Sequence, residues 1–168
     1  MNDDRLQIDD VEEQFLRALA NRDVQYVVIG GHAVNFHGYD RPVNDIDIVI
    51  DNSVDNAQKF ILALGDLRLE GKEVTVENIT KPKKKINVAT YNADILTSID
   101  YVNFYELFND RVIIKYNCFE IGIASIGHLL LMKINSDRPE DHIDYKELVK
   151  IIEADKTVPT RKGEENEA

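Results

Sequence analysis

One stretch restricts this chain's fold more than any other: residues 26–51, YVVIGGHAVNFHGYDRPVNDIDIVID. An apolar run stops at Gly30 and Gly31. After a gap of thirteen residues (32–44), Asp45 and Asp47 enter a second apolar run. A strand directs residues i and i+2 to one side, so Asp45 and Asp47 share a face while Ile46 and Ile48 take the other. Two carboxylates so close repel, and among Val and Ile they demand either a cation or access to water. A hard divalent ion, Mg²⁺ or Mn²⁺, suits such a pair, and so does a strand end at which both acids reach solvent. The glycines end a strand and open a helix, a setting in which backbone N–H groups approach a phosphate closely. GGHAVNFHG is neither G-x-G-x-x-G nor a P-loop, since no GK[ST] follows. The combination carries the information: strand, Gly-Gly, helix, then Asp-x-Asp on the next strand.

Around this stretch the pattern predicts a mixed α/β domain over residues 1–154. Residues 9–23 have helical apolar spacing with acids in the first turn, and GHAVNFHG fits two helical turns ended by Gly38. DIDIVID alternates as a strand, and Ser53 caps a helix through about residue 64. INVATYNADILTSI has the β-branched residues of strands, and RVIIKYNCFEIGIAS reads as a hairpin turning at 116–118. Two helices close the domain, with Pro139 at the first position of the second. Residues 155–168 have the composition of a disordered acidic tail.

Charge narrows the partners. With 20 Lys plus Arg against 31 Asp plus Glu, the net charge is −11, which opposes non-specific binding to a polyanion. KPKKK at 81–85 reads as a solvated loop or as a local basic strip. No apolar segment approaches the length that spans a bilayer, and MNDDRLQIDD has neither the basic nor the apolar region of a signal peptide. The single Cys118 excludes an internal disulfide, and the reading is cytoplasmic. His37 and His128 read as packing residues with one satisfied nitrogen.

The string IGG, thirteen residues and DIDI resembles the nucleotidyltransferase signature h-G-[GS]-x(9–13)-D-h-[DE]-h. The longer GGHAVNFHGYDRPVNDIDIVID looks like the AbiEii toxin-like branch of that superfamily. Two positions depart from the pattern. Val43 stands where Thr or Ser is usual, and Gly31 stands where the Gly-Ser version has its hydroxyl. The resemblance covers roughly residues 24–150 and is strongest at 29–48.

That resemblance implies a nucleotidyltransferase fold, a mixed sheet flanked by helices with two helices at the C-terminal end. It also implies a third carboxylate on a later strand. Asp94 fits it best, with Asp100 and Glu77 as alternatives. Asp45, Asp47 and Asp94 would be both catalytic and metal-binding, holding two Mg²⁺ (or Mn²⁺) ions. Gly30, Gly31, Arg41 and Lys133 would contact the nucleotide, with Arg138, Asp141 and Asp144 in support; His32, directly after the glycines, reads from its position as a nucleotide contact or as a helix-start histidine in a polar pocket. The reaction implied is transfer of an NMP from an NTP to a hydroxyl, with release of pyrophosphate. The acceptor stays open among a small molecule, a tRNA 3′ end and a protein side chain. A second reading is a catalytically weak nucleotide- or partner-binding module of a toxin–antitoxin pair, with an antitoxin or a second copy as partner. A glycosyltransferase using its DxD on a nucleotide-sugar suits the metal but not the glycine spacing.

Overall fold

Asp9 opens the structure with a capping box. Its side chain accepts a hydrogen bond from the Glu12 backbone N–H, and the Glu12 carboxylate accepts one from the N–H of Asp9, starting helix α1 (Asp10–Asn21). Phe15, Leu16 and Leu19 form its fully buried stripe. Strand β1 (Tyr26–Ile29) follows, buried throughout, and runs directly into the short helix α2 (Gly30–Phe36). Strand β2 (Ile46–Ile50) returns antiparallel to β1, and Ser53 caps helix α3 (Val54–Asp66). The computed structural model describes residues 3–69 and 71–157.

Beyond α3 come the one-turn helix α4 (Val76–Thr80), the edge strand β3 (Lys85–Val88) and strand β4 (Ala93–Leu96). Helix α5 (Phe104–Asp110) leads to the hairpin of β5 (Val112–Tyr116) and β6 (Phe119–Ile123). Helices α6 (Ile126–Ile134) and α7 (Pro139–Thr157) pack on each other. The α/β class, the hairpin and the proline-led last helix stand as the sequence predicts. Helices α4 and α5 are additions. Each spans only five to seven residues, too short for a periodic signal, and is fixed by a side-chain cap from Thr75 or Asn103. Helix α7 reaches Thr157, past the expected boundary at 154, and the remainder of the expected tail lies outside the described residues.

The six strands form one mixed sheet in the order β3-β4-β2-β1-β6-β5. Parallel pairing of β2 with β4 and of β1 with β6 needs crossovers, which the spans α3 to β3 and α2 to β5 supply. One face of β2 presents Ile46, Ile48 and Ile50, all fully buried, to a core shared with Phe15, Phe60, Ile95 and Ile121. Burying each of these side chains contributes about 1.5–3 kcal/mol. Asn56 ties this core to the sheet. It is buried, accepts from the Gln25 N–H at 2.8 Å, and donates to the carbonyls of Gln25 and Asp51 at 3.0 and 2.7 Å. Among the described residues no helix is long and apolar enough to cross a membrane.

Candidate functional site

Strand register builds the site. Asp47 stands opposite Ile29 on β1 and opposite Asp94 on β4, and Asp94 in turn stands opposite Asn87 on β3. Cross-strand neighbours lie on one face of a sheet, so Asn87, Asp94 and Asp47 form a polar row over three strands. Asp45 sits in the bend just before β2, half-buried. The expectation that Asp45 and Asp47 both belong to the strand is thus met only at Asp47.

These acids line a polar cleft of about 240 Å³ together with Gly30, Gly31, Arg41 and Lys133. Lys85, Arg138 and Asp141 also border it. A larger hollow of about 800 Å³ lies elsewhere, between the N-terminal segment and α7, with an apolar floor of Phe36, Ile126 and Ile151. The small cleft is the candidate site because it gathers Asp45, Asp47, Asp94, Arg41 and Lys133, the carboxylates and cations that the sequence singled out. Asp100 and Glu77 lie outside it, each exposed and paired to a lysine, Lys83 and Lys81 respectively.

Gly30 joins β1 to α2 at φ +66°, in the left-handed region that disfavours side chains. A Cβ there would also collide with the Asp47 carboxylate, whose Cγ would lie 3.0 Å away. Glycine therefore lets the turn settle directly against Asp47. Gly31 meets a different neighbour, since a Cβ on it would lie 2.5 Å from Val43 Cγ1 and 3.2 Å from Arg41 Nη1. The two departures from the nucleotidyltransferase pattern thus belong together, with the Val43 methyl filling the space that a side chain at 31 would need.

The carboxylates are incompletely compensated. Burial first, then the neighbouring charge of Asp94, pushes the Asp47 carboxyl up to about 6, against the opposing pull of Lys85 and His32. Asp94 is buried, its Oδ1 accepting from Asn87 Nδ2 at 2.7 Å and its Oδ2 lying 3.0 Å from Lys85 Nζ. Lys85 and Asn87 escaped the sequence reading, although K-I-N-V alternates and so places 85 and 87 on one face. The segment before Lys85 is clamped to the end of β4. Thr97 Oγ1 donates to the Lys81 carbonyl at 2.5 Å and accepts from the Lys84 N–H at 3.0 Å, and Ser98 Oγ accepts from the Lys83 N–H at 2.8 Å. Lys81, Lys83 and Lys85 each pair with an acid, so the KPKKK run does not stand as an uncompensated basic strip.

The C-terminal helices supply a second charge cluster. Asp144 is fully buried and accepts from Arg41 Nε and Nη2 at 2.7 and 2.8 Å, a bidentate pair. Lys133 Nζ lies between Asp141 Oδ1 at 2.6 Å and Asp144 Oδ2 at 2.9 Å. Ser136 Oγ donates to Asp141 Oδ2 at 2.6 Å. Burial raises Asp141, but the hydrogen bonds from Lys133 and Ser136 outweigh it and hold the carboxyl below its ordinary value. Arg138 is exposed and bonded to Glu140. Lys133, Asp141, Asp144 and Arg41 thus form one lattice joining the loop before β2 to α6 and α7.

His32 does not line this cleft. It is buried on α2 with Nε2 3.3 Å from Glu12 Oε2, and its Nδ1 has no partner among the described residues. His37 Nε2 bonds the Ala124 carbonyl at 2.8 Å and His128 Nδ1 meets Ser125 Oγ at 3.0 Å, both packing roles as expected. Among the described residues no three His, Cys, Asp or Glu side chains converge to hold a metal by themselves. The donor set still fits a hard cation, being all oxygen, adjacent across paired strands and short of positive charge at Asp47. Magnesium commonly takes one or two carboxylates and completes its shell with phosphate and water. The chain matches no protein-family model and no curated protein.

Proposed function

We propose that the chain is a metal-dependent nucleotidyltransferase that moves an NMP from an NTP to a hydroxyl acceptor. The observation that carries this reading is the register Asp47 opposite Asp94 beside the glycine turn, with the Asp47 carboxyl pushed up to about 6. An acid held against its own charge is an acid that gains from a bound cation. Asp45, Asp47 and Asp94 would hold Mg²⁺ or Mn²⁺. When bound, the ion supplies Lewis-acid polarisation of the phosphoryl oxygens and acidifies the attacking hydroxyl.

The chain's own groups do the rest. Backbone N–H groups at Gly30 and Gly31 receive the phosphates, and Arg41, fixed by Asp144, adds positive potential at the same wall. Asp94 takes the proton leaving the acceptor hydroxyl. That oxygen bonds to the α-phosphorus, the bond to the bridging oxygen breaks, and pyrophosphate departs. In this reading Lys133 acts as a strut between Asp141 and Asp144, because its ammonium is buried and twice engaged.

Occupation of both Asp94 oxygens, by Asn87 and Lys85, favours one other reading, a nucleotide- or partner-binding module of a toxin–antitoxin pair that turns over weakly. Incubating the protein with Mg²⁺, a whole-cell extract and each α-labelled NTP separates the two. Transfer of label to a macromolecule or metabolite, lost in Asp47→Asn, supports the enzyme. Nucleotide binding without transfer supports the module.

A further inference from the structure

Four cationic side chains border the cleft: Arg41, Lys85, Lys133 and Arg138. Three are engaged with acids outside the carboxylate row. Arg41 is held by Asp144, Lys133 lies between Asp141 and Asp144, and Arg138 bonds Glu140. Lys85 alone of the four contacts Asp94. The two partners of that contact differ in freedom, since the Lys85 side chain is 60% exposed and the Asp94 side chain 10%. A long, hydrated, rotatable ammonium thus covers a carboxylate that Asn87 and the sheet hold in place.

We propose that Lys85 is a resident counter-ion that a divalent cation displaces. In the metal-free protein its ammonium neutralises Asp94. Arrival of the metal at the Asp47–Asp94 pair frees it to act as a phosphate ligand at the cleft. The inference rests on the metal-dependent reading and adds its order of assembly. An ammonium and a divalent ion on one carboxylate repel each other, and the exposed, flexible partner is the one that yields. Once released, Lys85 is the one cation of the four no longer answered by an acid, so metal and phosphate binding become coupled through it, and reciprocally.

The test uses Mn²⁺ alone, followed by loss of the free-ion electron paramagnetic resonance signal, with full-length wild type, Lys85→Met, Lys85→Gln and Lys85→Arg. Circular dichroism confirms that each is folded. The two uncharged variants are expected to bind Mn²⁺ about five- to tenfold more tightly than wild type, and Lys85→Arg within about twofold of it. Equal or weaker Mn²⁺ binding in both uncharged variants overturns the displacement while leaving the metal site standing. No Mn²⁺ binding in any of the folded chains overturns both.

Discussion

Two pairs of acids serve the same small cleft in opposite ways: Asp47 and Asp94 border it, whereas Asp141 borders it beside Asp144, which bonds the lining cations Arg41 and Lys133. Asp141 and Asp144 are buried, yet each accepts at least two charge-assisted or hydroxyl bonds from Arg41, Lys133 and Ser136. Asp47 and Asp94 are adjacent on paired strands, one ammonium and one amide both contact Asp94, and Asp47 is driven toward its proton. A buried acid with full partners is a structural element, since removing it strands the cations around it. A half-buried acid left short of positive charge, as Asp47 is, carries a standing penalty, and such penalties persist where a site awaits a ligand. The contrast divides the cleft into a wall that holds and a wall that receives.

The largest effect is expected at the receiving wall. Asp47→Asn is expected to lower NMP transfer by about 10²–10³-fold while leaving the circular dichroism spectrum unchanged, a loss of the size found when one group stabilising a transition state is removed. Retained transfer would remove Asp47 from the chemistry. At the holding wall, Asp144→Ala leaves Arg41 and Lys133 without their buried carboxylate and is expected to destabilise by about 3–5 kcal/mol in urea unfolding. A loss under about 1 kcal/mol would mean the two walls do not differ.

Gly30→Ala probes the junction. Strain at φ +66° and the clash with Asp47 together predict a loss of about 1–3 kcal/mol, read as a lower Tm. The effect of Asp47 on stability has the opposite sign. The folded Asp47 holds its proton up to about pH 6, whereas the unfolded chain releases it near pH 4, so the native state binds more protons between these values. Metal-free stability therefore falls as pH rises from about 4 to 6 and is level above. Asp47→Asn removes that slope and is expected to be more stable than wild type at pH 7 by about 1–3 kcal/mol. Unfolding curves at pH 4.5 and pH 7 check this, and equal stability of the two chains at both values would contradict it.

How far the site was legible follows from how local each signal is. The glycine pair and the Asp-x-Asp lie within one hairpin-like unit, so their spacing, their faces and their strand–helix setting read directly from residues 26–51. Asp94 could be picked as an acid entering an apolar strand. Its place beside Asp47, however, depends on parallel pairing across a long crossover, which no local pattern encodes. Lys85 was hidden by its neighbours, because a run of lysines looks alike whether its last member faces water or a carboxylate. The lattice of Arg41, Lys133, Asp141 and Asp144 joins residues about a hundred positions apart, and although the resemblance singled out all four, no local pattern encodes how they pair. His32 shows the reverse, a residue next to the glycines that the helix turns into the Glu12 contact.

Thermal unfolding with and without Mn²⁺ shows whether the Asp47–Asp94 pair receives a divalent cation. A ligand that binds only the folded state, at about a hundredfold over its Kd, adds about 2.7 kcal/mol, or roughly 5–10 °C in Tm for a chain of this size. That rise is expected in wild type and is expected to vanish in both Asp47→Asn and Asp94→Asn. A Tm unmoved by Mn²⁺ in wild type, or raised equally in all three chains, would contradict it.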